Sequence, residues 1–385
     1  MTLIYNEEQR LLQSTAKDFF LENAPVSALR HLRDTKDAKG YSDELWQQIA
    51  ALGWASIIVP EKYGGLEFGF PGLAAVLEVS GHCLTASPLQ ATAVIGASAL
   101  ILGGNDHQKS QLLPKIAAGE LTVALALEEC FHHHPSHIAL SAEREGVCFR
   151  LNGEKRFVLD GHSADQLIVV ARSSAGTSDE HGLSLVLVDA NAAGVNRERT
   201  FVADSRNVAT IRFNNTAIQS SQLLGELDQG WLLLEPVLDR ARIALAVEML
   251  GSAFEVFERT IGYLKEREQF GVKIGSFQSL QHRVSILYTE LELTRSVVMH
   301  ALNAVEKNPI QLPQFASLAK ASANEVATLV AEEAVQLHGG IGVTDELDIG
   351  LFLKRIRVAS QLWGDTGYHY DRYATVCGIN LSEGP

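Results

Sequence analysis

Across residues 123–226 this chain abandons helical spacing of its apolar residues for short aliphatic and β-branched runs, and from about residue 230 to 378 helical spacing returns. A two-residue strand period and a helical period of about 3.6 residues expose different faces for burial, so such a switch marks a change of layer type. Upstream, Leu11, Leu12, Ala16, Phe19 and Phe20 recur at helical spacing, and Ser42 or Asp43 stands before an apolar face as a capped helix start. The glycine-rich residues 60–66 read as a loop, and residues 114–119 as a link between two elements. In the middle segment, residues 165–172, 183–188 and 208–213 read as strands. Asn152-Gly153, set between residues 149–151 and 155–158, predicts a two-residue hairpin turn, since both residue types tolerate positive φ. Downstream, Ser276 is expected to cap a helix running through Leu280, Val284, Leu287, Leu291 and Leu293 towards Ala304. A further helix is expected from Phe315 to His338, stopped by Gly339 and Gly340. The expectation is an α+β protein: an N-terminal helical domain at 1–122, a middle antiparallel β domain at 123–226 and a C-terminal four-helix bundle at 227–385.

Composition narrows the function. With 46% hydrophobic and 20% charged residues in 385, the chain can bury two or three cores. A formal net charge of -14 disfavours nucleic acid and anionic membranes as partners, because both need clustered Lys and Arg. Cys83, Cys130, Cys148 and Cys377 form no CxxC pair and read as free thiols of a reducing compartment. The first ten residues lack a basic start followed by an apolar core, and no uncharged apolar run reaches about 18 residues. The expected location is cytoplasmic.

Three phrases in the C-terminal segment carry binding chemistry: residues 267–271 (Arg-Glu-Gln-Phe-Gly), Phe277-Gln278, and residues 336–342 (Gln-Leu-His-Gly-Gly-Ile-Gly). Arginine's planar fork suits a pyrophosphate, and a neighbouring phenylalanine can pack on a ring system. Bare glycine backbone at a helix end lets a ligand approach closely. Together they are what a helical protein needs to hold a dinucleotide without a βαβ phosphate loop. Singly, each has a plainer reading: Arg267 as a solvated residue paired with Glu268, and Gly339-Gly340 as a helix stop.

These phrases resemble the signatures of the acyl-CoA dehydrogenase family. So do residues 52–54 and 59–65, the Asn152-Gly153 segment, and the Leu-Asp-x-x-Arg run of residues 238–242. The resemblance implies an acyl-CoA dehydrogenase-like fold and FAD as cofactor, with the pyrophosphate and adenosine reaching into a second subunit. It places Arg267 on the pyrophosphate, Phe270 near the adenine end, Gln278 on the adenosine side, and Gln336, Gly339 and Gly340 against the cofactor from the partner chain. Thr366 matches a further FAD contact. Arg242 matches the family arginine at the substrate end, and a bundle salt bridge with Asp239 or Glu248 is the equal alternative. The implied reaction is α,β-dehydrogenation of an acyl-CoA thioester, with electrons leaving to an electron-transfer flavoprotein.

The pattern breaks at the base. The family's glutamate before Gly-Thr corresponds here to Gly364, followed by Asp365, and its alternative position on the first bundle helix is Ala241. Asp365 is the nearest substitute base, or a cap of its own turn. The family's flavin-contact loop is replaced by residues 127–134, and the following contact threonine by Leu159. His132, His133 and His134 are adjacent and do not converge as spaced ligands do, so no metal site is expected. Residues 160–165 and 363–369 resemble small subunits of two-subunit acyl-CoA dehydrogenases of the pimeloyl-CoA or steroid side-chain type. The expectation is a subunit paired with a homologous large subunit. The alternatives are a non-catalytic FAD-binding partner that stabilises a catalytic homologue, and a homotetramer that uses Asp365 as base.

Overall fold

The computed structural model describes residues 4–146, 148–174, 176 and 180–379. In chain order come helices α1 (Glu7–Asn23), α2 (Val26–Asp34), α3 (Asp43–Ala51), α4 (Phe70–His82), α5 (Ala97–Gly103) and α6 (Asp106–Ala117). Strands β1 (Val123–Ala126), β2 (Ser141–Glu145), β3 (Cys148–Leu159), β4 (Gln166–Arg172), β5 (Leu183–Asp189), β6 (Val195–Phe201), β7 (Asn207–Gln219) and β8 (Leu223–Leu224) follow. The remainder is α7 (Gly230–Glu266), the two-strand ribbon β9 (Glu268–Gln269) and β10 (Val272–Lys273), α8 (Gln278–Lys307), α9 (Leu312–His338), α10 (Ile349–Gln361) and α11 (Thr366–Val376). No helix among the described residues is long and apolar enough to cross a membrane. The chain divides into two compact units.

The first unit holds His31–Leu73 and Ala86–Ala241. Its sheet runs β6-β7-β3-β2-β4-β5-β8, with β1 added on β4. Most neighbours are antiparallel, as expected, but β1 pairs with β4 in parallel and β2 touches β4 in parallel at Ser141–Arg172. The buried face collects Leu151, Val158, Leu167, Val169, Val188, Ile211 and Phe213. Polar side chains tie helices to this sheet. Thr92 exchanges hydrogen bonds with the Val123 backbone, and Gln108 Nε2 donates to Leu223 O at 2.7 Å. Ser42 is the N-cap of α3, accepting from Leu45 N, as its place before the apolar face predicts.

Two expectations for this unit are corrected. Asn152-Gly153 makes no hairpin; it lies inside the continuous twelve-residue strand β3. That strand pairs on one side with β2 and on the other with β7, and the β7 register shifts between Leu151 and Gly153. The pair forms a bulge, with Asn152 Oδ1 accepting from Asn215 N at 2.8 Å. Two flanking ladders outweigh a local turn preference. The β2–β3 connection lies instead beside Gly146, after the Glu145–Cys148 pair. Pro114 lies inside α6, with the helix ending at Ala117.

The second unit holds the chain up to Arg30, Ala74–Thr85 and the chain from Arg242. Here α8 and α9 present long apolar faces, Leu287, Leu291, Val298 and Leu302 on one and Ala316, Ala319, Ala323, Ala327 and Val330 on the other. Helix α10 contributes Phe352 and Ile356, and α11 lies as a further helix beside the four expected. Helix α1 buries Ala16 and Phe20 while Leu11 stays exposed. Ser276 does not cap α8: its hydroxyl bonds Lys273 O, and Phe277 occupies the N-cap. A buried ion pair, Arg355 to Glu248 at 2.6 Å, joins α10 to α7. Lone buried charges are strongly unfavourable, so each partner here depends on the other.

Gly153 has φ 144, and a Cβ there would stand 2.9 Å from Leu140 Cα, which is backbone and cannot rotate away. Gly153→Ala is expected to lower unfolding free energy by about 1–3 kcal/mol, from backbone strain and the clash. Thermal or denaturant unfolding checks this. An unchanged midpoint would mean that the bulge yields freely.

Candidate cofactor and active site

All the binding phrases fall in the second unit, and one end of it gathers most of them. Arg267 follows the last turn of α7, its N–H donating to Tyr263 O at 2.8 Å. The β9–β10 ribbon turns through Phe270 and Gly271, at φ 56 and 78. A phenylalanine held at positive φ is strained. Its ring is 91% exposed and edge-on to Phe277 at 6.2 Å between centroids. Glu268 pairs with Lys273 at 2.7 Å rather than with Arg267, and the exposed Arg267 guanidinium makes no ion pair among the described residues.

Helix α9 ends at the same place. Tyr263 OH donates to His338 O, and the two rings lie 4.5 Å apart. Gly339 then adopts φ 65, ψ -143, a region open to glycine alone. A Cβ on Gly339 or Gly340 would meet nothing within 4 Å, so this backbone faces open space. Gln278 opens α8 and is exposed, as is Gln336 near the end of α9. Arg283 of α8 bonds Glu333 of α9 at 2.6 Å and holds the two helices in this antiparallel register.

The remaining candidates sit elsewhere in the unit, at the turn from α10 into α11. Asp365 is the N-cap of α11, its Oδ1 accepting from Tyr368 N at 2.8 Å. Asp365 and Thr366 line a cavity of about 570 Å³ with Glu290, Asn324, Glu332 and Arg357. Arg267, Phe270, Gln278, Gln336, Gly339 and Gly340 are absent from that lining. Trp363 has φ 56 and Gly364 φ 114; a Cβ on Gly364 would stand 2.4 Å from the Tyr368 ring and 2.7 Å from His369 Nε2. No side chain fits there as the turn is built. Ala241 is fully buried in α7.

Arg242 is fully buried and turns towards this same turn. Its Nε donates to Trp363 O at 3.2 Å and its Nη2 to Tyr368 OH at 3.1 Å. Sequence reasoning missed Lys320, also fully buried, whose Nζ donates to Asn324 Oδ1 at 2.6 Å, Ala359 O at 3.0 Å and Gly364 O at 3.2 Å. It also missed His369, which lies between Ser317 Oγ and Trp363 O. The available signal was a cation on the alanine face of α9, with Ala316 and Ala323 one turn away.

The loop of residues 127–134 belongs to the other unit. Glu128 pairs with the buried His133 side chain, and Glu129 accepts from Lys155 Nζ, Ala139 N and Leu140 N. Burial lowers the Lys155 pKa to about 8, against the pull of Glu129. Leu159 is buried. Among the described residues no group of three His, Cys, Asp or Glu side chains could hold a metal ion.

Three family descriptions match: acyl-CoA dehydrogenase N-terminal domain at residues 6–120, middle domain at 135–216 and C-terminal domain at 228–376. The chain belongs to the acyl-CoA dehydrogenase family. It is 30% identical over 358 residues to mitochondrial isovaleryl-CoA dehydrogenase of Pongo abelii, covering 91% of this chain and 84% of that protein. A variant of the Tcur3481-Tcur3483 steroid ACAD shares 30% identity at TM-score 0.88, over 98% of this chain and 99% of that one. Butyryl-CoA dehydrogenase from Megasphaera elsdenii, at 23% identity, shares the fold with TM-score 0.90 over 98% and 100% of the two chains. The protein is thus an FAD-dependent oxidoreductase of the acyl-CoA dehydrogenase class. Its residues suit that cofactor: an uncompensated guanidinium, bare glycine backbone facing open space and an aromatic ring held outward are what a diphosphate joined to ring systems requires.

Gly364→Glu places a side chain against a positive φ and the Tyr368 ring. It is expected to lower stability by about 2 kcal/mol or more, read as a drop in thermal midpoint. A variant as stable as the parent would show that this turn re-forms at no cost.

Proposed function

We propose that the chain acts as the small subunit of a heteromeric FAD-dependent acyl-CoA dehydrogenase, with a homologous large subunit supplying the catalytic base. One observation carries this reading. The position of the family's glutamate is Gly364, whose backbone conformation and Tyr368 neighbour leave no space for a side chain. The alternative position, Ala241, is a buried methyl group. The placement of the binding phrases bears on assembly in general. Arg267, Gln278, Gln336 and the glycine pair do not line the Asp365–Thr366 cavity, which suits one cofactor held by two chains, alike or different. The outward ring of Phe270 fits a second body in the same way.

FAD, when bound, would supply the acceptor for the β hydrogen of the acyl thioester, and a carboxylate would remove the α proton. Each residue of this chain has a simpler task. Arg267 offers two parallel N–H groups to the diphosphate. The Gly339 and Gly340 backbone lets that diphosphate approach without a Cβ in the way. Gln278, Gln336 and Thr366 add hydrogen bonds, and Phe270 packs beside the adenine. Arg242 acts on the substrate end through the Trp363–Tyr368 turn that it holds. Electrons leave to an electron-transfer flavoprotein.

A second reading, a homotetramer with Asp365 as base, rests on Asp365 bordering the cavity. Its Oδ1 already caps α11, which counts against it. The non-catalytic partner that merely stabilises a homologue differs from the main reading only in whether turnover requires this chain's residues.

Two measurements separate the readings. Purified alone, the chain should show no bleaching of a flavin band by acyl-CoA; purified with its native large partner, the complex should be yellow and bleach. A yellow, bleachable preparation of this chain alone would sink the heteromeric reading, and Asp365→Asn would then be expected to abolish turnover. In the complex, Asp365→Asn should leave turnover within about twofold of the parent. Arg267→Ala should weaken FAD binding about ten- to a hundredfold, the loss of a charge-assisted pair of hydrogen bonds. Unchanged FAD affinity in that variant would remove Arg267 from the diphosphate.

A further inference from the structure

Helix α10 ends inside the protein. Val358 O accepts from Leu362 N just past the helix end, but the next carbonyls have no partner in the helix, and Ala359 and Ser360 are buried. The ammonium of Lys320 supplies what they lack. Its Nζ donates to Ala359 O at 3.0 Å and approaches Ser360 O at 3.5 Å, and it spans the turn to Gly364 O at 3.2 Å. Asn324, one helical turn along α9, accepts from Lys320 and donates to the same Gly364 carbonyl at 3.4 Å.

We propose that Lys320 is a positioning residue: by holding the end of α10 and the Gly364 carbonyl at once, it sets the direction in which α11 presents Asp365 and Thr366 to the cavity. The inference rests on the reading that Thr366 contacts FAD.

The electrostatics point the same way. The carbonyl end of α10 is the negative end of its dipole, and the N–H end of α11 is positive. Lys320 stands at the first and the Asp365 carboxylate at the second. The charged groups facing Lys320 are Arg242 from α7, Arg355 from α10 and Asp365 at the start of α11. Burial and the neighbouring Arg242 and Arg355 lower its pKa well below the usual lysine range, against the pull of Asp365. A lysine whose only work was to fill volume would not need acceptors on three separate pieces of chain.

The test uses the complete enzyme, with its partner subunit when it has one. Lys320→Met keeps length and loses charge. Asn324→Leu is the milder variant and decides the matter if Lys320→Met does not fold. Each is compared with the parent at a temperature where far-UV circular dichroism shows full folding. Two quantities are read: the FAD dissociation constant, and the 19F resonance of 5-fluorotryptophan at Trp363, assigned with Trp363→Phe. The expected result is a shifted Trp363 resonance with FAD affinity weakened about tenfold, the loss of one well-made hydrogen bond. A shifted resonance with FAD affinity unchanged would reduce Lys320 to a structural residue and overturn the proposal, as would no change in either. A parent enzyme that binds no FAD with any partner sinks the cofactor reading itself. That outcome is seen in the control and is distinct from a failure in the variants.

Discussion

Two buried basic side chains at the turn between α10 and α11 tie together four helices of the second unit. Arg242 from α7 and Lys320 from α9 both give up water, and each is repaid in hydrogen bonds to the same few residues, Trp363, Gly364 and Tyr368. A buried charge without such partners is strongly unfavourable. Four helices therefore share one set of atoms: α7 and α9 supply donors, α10 supplies the Ala359 carbonyl, and α11 supplies Tyr368 and His369. The Arg355–Glu248 pair repeats the device between α10 and α7.

That cluster also shapes the backbone at Gly364. Once Trp363 and Gly364 take positive φ, the Tyr368 and His369 rings close over the Gly364 Cα. The turn is filled from within, and the carboxylate that follows, Asp365, is drawn into capping α11.

Much of this could be seen in the sequence. The helix–strand–helix order follows from apolar spacing, and β4, β5 and β7 lie where β-branched runs predicted them. The stop at Gly339 was visible as well, because only glycine takes its backbone conformation. Asn152-Gly153 misled: its local preference is for a turn, but hydrogen bonds to strands on both sides hold it extended. Ser276 misled for a similar reason, since its hydroxyl found Lys273 O instead of the helix end. Pairing across a sheet and packing of a helix start are decided by residues distant in sequence, and spacing along the chain does not contain them.

The sequence alone determined the layer order, the helix ends marked by glycine, and the residue types offered to a flavin nucleotide. These depend on period and backbone allowance, which neighbours within a few positions set. Only the tertiary structure decided that Arg242 and Lys320 converge on one turn, that no side chain fits at residue 364, and that Arg267 stands free of Glu268. The reason is that burial and pairing of charge are properties of what surrounds a side chain in space. Lys320 and Gly364, which share a hydrogen bond, are 44 residues apart.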